Sequence, residues 1–116
     1  MKQIKSDWTD VVLVCHKCAK KLKGGFGPGG DLSLPKALRA EVAKRDGASK
    51  PLKKPRRKGA SVAIIEVSCL DVCPRNGAVV IGARTPGRWR VIAPGEDAGA
   101  LLDELAPPGA CSAKVE

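Results

Sequence analysis

Tyrosine is absent from this sequence, and the aromatic side chains are limited to Trp8, Phe26 and Trp89. So sparse a set excludes a core built on rings, and any core must be assembled from Val, Ile, Leu and Ala. Long apolar runs are missing as well. The first, VVLV at residues 11–14, is far short of the ~20 residues a membrane span needs and too short for a signal-peptide core. The chain therefore reads as soluble and cytoplasmic, with no membrane partner. Its 116 residues leave no room for two domains, and a chain so short buries only a modest fraction of its surface. A bound metal would help so small a core, because ligand bonds made only in the folded state add to stability.

Positive charge and cysteine are plentiful by contrast. The net charge of +9 is concentrated in residues 44–59, which carry +7, and in residues 1–23, which carry +4. Residues 24–43 balance, and residues 60–116 carry −2. The basicity thus belongs to one insert and the N-terminal third. Five cysteines in a reducing compartment point to metal or redox chemistry in preference to a disulfide framework.

The β-branched run at residues 11–14 predicts a buried strand leading into Cys15. The stretch KKLKGGFGPGG, residues 20–30, is too rich in glycine to hold a regular element and reads as a loop. Ser33 is a plausible N-cap, Pro35 suits a first turn, and Leu34, Leu38 and Val42 form one apolar stripe, so a helix is expected over about residues 34–45. Gly47 can stop it. SVAIIEV, residues 61–67, predicts a second buried strand. Residues 78–81 and 89–92, joined through Pro86-Gly87, predict an antiparallel hairpin with Trp89 facing the core. Glu96 and Asp97 open a last helix whose buried face is Ala98, Leu101, Leu102 and Leu105. The result is one α/β domain over residues 1–116, of element order β-α-β-β-β-α. That is the order of a thioredoxin-like fold with a four-stranded mixed sheet and two main helices. A basic flexible insert is expected at residues 47–60 and a frayed tail at residues 107–116.

The cysteines form two pairs. Cys15 and Cys18 follow the first strand as C-x2-C, and Cys69 and Cys73 follow the second as C-x3-C. A parallel strand–helix–strand unit ends both strands on one sheet edge, so the two loops can converge there. Four thiolates suit tetrahedral zinc or an iron–sulfur cluster and do not suit magnesium or calcium. In a 2Fe-2S cluster each pair would take one iron, with backbone N–H groups of both loops donating to sulfur.

The runs VVLVCHKC and SCLDVCPRNGAVVI resemble the thioredoxin-like 2Fe-2S ferredoxins, and C-L-x-x-C before a strand is similar to the small ferredoxin-like subunit of respiratory complex I. The resemblance covers residues 10–106. It implies Cys15, Cys18, Cys69 and Cys73 as cluster ligands and an electron carrier, not an enzyme. The chain departs from that family in the close spacing of its first two cysteines, in the GGFGPGG loop and in the basic insert.

Two other readings stand beside it. One is a zinc-stabilised binding module. The other is a thiol–disulfide oxidoreductase using Cys15 and Cys18, with Lys17 and His16 lowering a thiol pKa. Against the latter, the Gly-rich loop is expected to keep a helix from starting at Cys18, and Cys69 and Cys73 would be left without a role. His16, the one histidine, reads as exposed or hydrogen-bonded near the site, ahead of a zinc ligand. Cys111 reads as a thiol without a role. For the run KKPRRK at residues 53–58, a solvated loop ranks first, an acidic redox partner second and nucleic acid third, since no aromatics are interleaved for base stacking. An electron carrier needs its partner near the cluster, which favours Lys17, Lys20, Lys21 and Lys23 as the docking face.

Overall fold

A computed structural model describes residues 2–106, apart from residues 23, 28, 29, 55, 57 and 73. Four strands and three helices follow in the order β1 (Asp10–Cys15), α1 (His16–Leu22), α2 (Leu34–Asp46), β2 (Val62–Val67), β3 (Ala78–Gly82), β4 (Arg90–Ile92) and α3 (Ala98–Leu105). The fold is α/β, with one mixed sheet of order β2-β1-β3-β4. β1 pairs in parallel with β2 from Asp10↔Val62 to Cys15↔Val67. It pairs antiparallel with β3, and β3 antiparallel with β4.

Pairing sets the core. Val12 lies opposite Ile64 and Val14 opposite Val80, so these four share a sheet face. All four are buried, in one cluster with Leu34, Leu38 and Val42 of α2 and Leu101, Leu102 and Leu105 of α3. α2 packs on β2 and on α3. Arg45 ties the two helices by donating to the Asp103 carboxylate and to the carbonyl of Ala106. Gly47 closes α2 at φ 69°, a left-handed cap that only glycine adopts without strain, and its N–H reaches the Lys44 carbonyl. Ser33 is extended and precedes α2, but its side chain makes no capping bond. Asp97 does cap α3, accepting from the Gly99 N–H.

Three expectations are corrected. There are three helices rather than two, because α1 occupies the residues that follow Cys15. Its seven residues are too few for a periodic apolar stripe to show in sequence. Second, the loop expected from residue 20 starts later, because Lys20, Lys21 and Leu22 belong to α1; in the loop itself Phe26 is 1% exposed and pairs with Leu32 through two backbone bonds, which delivers a ring to the core. Gly25, at φ +95°, lets it pass, since a Cβ there would lie 2.6 Å from Pro94. Third, Trp89 is 44% exposed, with its Nε1 donating to the Pro86 carbonyl. β4 begins only at Arg90, so Trp89 belongs to the turn.

Described residues of the basic segment have partners. The Trp8 indole donates to the Arg56 carbonyl, and the Gly59 N–H donates to Asp7. Leu52 is half-buried against Gly59. The tail at residues 107–116, with Cys111, lies outside the described residues.

If the β1–α2–α3 cluster carries the stability, Leu102→Ala should cost about 2–5 kcal/mol, while Val91→Ala, at a side chain 54% exposed, should cost less than about 0.5 kcal/mol. Urea unfolding of both variants tests this, and equal costs would refute the assignment of the core.

Candidate functional site

In-register parallel pairing brings the C-terminal ends of β1 and β2 side by side. Cys15 is the last residue of β1, and Cys69 lies two residues past the end of β2. α1 starts at His16, so Cys15 sits at a helix N-terminus and Cys18 in its first turn. This corrects the expectation that no helix could start there: the glycines begin only after α1 has ended at Leu22.

Cys15 is fully buried, and burial by itself pushes its thiol pKa up. Hydrogen bonds more than offset that. The N–H groups of Cys18 and Leu70, the Cys18 thiol and the Lys17 N–H all favour the thiolate, and the pKa lies below the ordinary thiol value. Leu70 belongs to the loop after β2, so the two cysteine loops touch at the Cys15 sulfur. Cys18 makes a second link, its Sγ donating to the Val72 carbonyl at 3.6 Å. Cys69 is exposed, and its Sγ accepts from the Asp71 N–H at 3.4 Å. Asp71 takes φ 60°, the left-handed conformation that Asp tolerates better than most residues, and this turns the loop back.

The structure therefore brings Cys15 and Cys18 together and folds the Cys69 loop over them. Cys73 lies outside the described residues. Among the described residues, no three His, Cys, Asp or Glu side chains form a metal-binding group, so Cys69 does not complete one with the first pair. The donor set fits a thiolate-bound metal at the first pair: two adjacent sulfurs, one already held toward its metal-binding form by N–H donors.

No family model matches this chain, and no curated protein or solved structure matches it.

His16 is exposed, and its Nδ1 lies 2.7 Å from the Glu66 carboxylate. Arg39 donates to the Ile64 carbonyl and lies 3.9 Å from the other Glu66 oxygen. Neither Glu66 nor Arg39 stood out in sequence. The available signal was a single charge inside the apolar strand VAIIEV. Lys17, Lys20 and Lys21 are exposed on α1, and Lys23 lies outside the described residues.

The lowered Cys15 pKa has a definite sign in metal-free protein. The folded state releases this proton at a lower pH than the unfolded chain. Its contribution to stability is complete above the unfolded thiol value of about 8.5 and is lost as pH falls through the folded value. Stability of the apoprotein should rise with pH across that window. Urea unfolding against pH measures it, and Cys15→Ser should remove that part of the slope. An unchanged slope in the variant would show that another group supplies it.

Proposed function

We propose that this chain is a small electron carrier of thioredoxin-like fold that holds a 2Fe-2S cluster on Cys15, Cys18, Cys69 and Cys73. The observation that carries this reading is the meeting of the two cysteine loops at one sheet edge, where Leu70 N–H reaches the Cys15 sulfur. The strand order β2-β1-β3-β4, with β1 and β2 parallel and the hairpin antiparallel, supports the thioredoxin-like assignment. When bound, such a cluster supplies a one-electron couple.

The chain's own residues have separate tasks. Cys15 and Cys18 would hold one iron, and Cys69 and Cys73 the other. The N–H groups of Lys17, Cys18 and Leu70 offset charge on the Cys15 sulfur, and Asp71 N–H does the same at Cys69. Leu70, packed against the core, limits water at Cys15. The exposed lysines of α1 lie beside the site, where a partner must dock.

One observation favours a second reading. Cys15 at the start of α1 has the environment of an activated C-x-x-C thiol. Thiol–disulfide exchange requires an accessible sulfur, however, and both cysteines of the pair are buried. The loop after β2 would have to open first.

Protein purified without oxygen should be brown, with broad thiolate-to-iron absorption, and one iron-bound spectrum should be lost on replacing any of Cys15, Cys18, Cys69 or Cys73 by Ser. Cys111→Ser should leave it intact. Colourless protein containing zinc would sustain the binding-module reading instead. Full metal content in Cys69→Ser and Cys73→Ser would end the four-cysteine site.

For docking, reversing Lys17, Lys20 and Lys21 to Glu should slow reduction by an acidic donor more than reversing Arg56, Arg57 and Lys58. The difference should shrink as salt rises, because exposed charges are screened over about 8 Å at physiological ionic strength. Stopped-flow reduction against ionic strength measures it, and equal slowing would reduce the effect to net charge.

A further inference from the structure

Among the described residues, two groups of exposed cations stand near opposite ends of β1. Lys17, Lys20 and Lys21 follow β1, beside Cys15. Lys50, Lys53, Lys54, Arg56 and Lys58 are exposed at the other end, where residues 50–61 run up to the start of β2. The six-residue strand β1 separates the two ends by about 17 Å.

The end of this segment is tied to residues 7–9. Trp8 Nε1 bonds the Arg56 carbonyl, Asp7 accepts from Gly59, and Thr9 N–H reaches the Ser61 carbonyl at 2.7 Å. Leu52 packs inward. The neighbouring acids are already committed: Asp46 accepts from the Ser61 N–H and hydroxyl, and Asp10 forms a two-pronged pair with Arg84. Among the described residues, none of the five cations makes an ion pair. Their side chains are exposed, so the charge faces solvent.

We propose that this end of the protein binds nucleic acid through its phosphates, without sequence preference and apart from the cysteine end. A protein partner would be expected to bury an apolar centre, and a membrane surface would be expected to take several apolar side chains. Among the described residues of 50–58, the exposed side chains are the five cations and Pro51, and Leu52 is half-buried. A phosphate polymer needs only the cations. The missing aromatics, which removed base stacking from the sequence reading, leave backbone contact intact. The Trp8 indole N–H is engaged with the Arg56 carbonyl.

The test is fluorescence anisotropy of a short labelled duplex DNA of mixed sequence, titrated at a series of salt concentrations. Binding at physiological salt should fall at about 10⁻⁴–10⁻⁶ M, and log K should decline with log salt by about 0.9 for each phosphate contact. Replacing Lys53, Lys54 and Arg56 by Gln should flatten the slope by about 0.9 per cation removed. The charge-matched replacement of Lys17, Lys20 and Lys21 by Gln should leave the slope as it is. If the triple variant melts below wild type, the three single variants decide, each expected to flatten the slope by about 0.9. Equal weakening by both triple variants, or no binding at about 10⁻⁴ M, would overturn the proposal. Tighter binding to polyglutamate or to phosphatidylserine vesicles than to DNA would overturn it in favour of an acidic protein or a membrane.

Discussion

Everything local to the cysteines depends on the in-register parallel pairing of β1 with β2. Parallel strands terminate at the same sheet edge, so a residue ending β1 and a loop leaving β2 are neighbours whatever lies between them in sequence. Cys15 pairs with Val67, and the chain beyond Val67 needs only three residues to place the Leu70 N–H on the Cys15 sulfur. A slip of one residue would turn every side chain of β2 to the opposite face. Burial of Val62 and Ile64 on the helix side resists that slip. The apolar core therefore holds the polar site in register.

The same pairing separates the two concentrations of charge. The insert must return to the start of β2, so it lies by Trp8 and Asp7 at one end, while α1 leaves the other end of β1. The basic run and the lysines of α1 beside the cysteine loops therefore lie on different surfaces.

At Cys15, two opposed effects meet. Removal from water favours the neutral thiol, and a helix N-terminus with a converging N–H from another loop favours the thiolate. The second effect prevails. Metal binding and thiol exchange both draw on this device, which is why the environment of Cys15 alone supports either. The loop from Cys69 onward distinguishes them, since a cluster uses its sulfurs and exchange needs it to move aside.

Local pattern made much of this legible from sequence. Continuous β-branched apolar runs marked β1 and β2, the stripe of Leu34, Leu38 and Val42 with Gly47 marked α2, and Asp97 with Leu101, Leu102 and Leu105 marked α3. The spacing of the cysteine pairs at two strand ends was legible too, because it needs only the order of elements. α1 was not: seven residues with three lysines and one cysteine present no periodic stripe, and their helical state is supported by contacts with β1 and β3. Nor was Phe26, whose burial depends on Gly25 passing close to Pro94, far away in the chain. Sequence by itself determined which thiols are available and at which strand ends they lie. Tertiary structure alone decided that Leu70 and Val72 would close over Cys15 and Cys18, because backbone N–H and carbonyl groups are the same in every residue and acquire a partner only when the fold brings one to them.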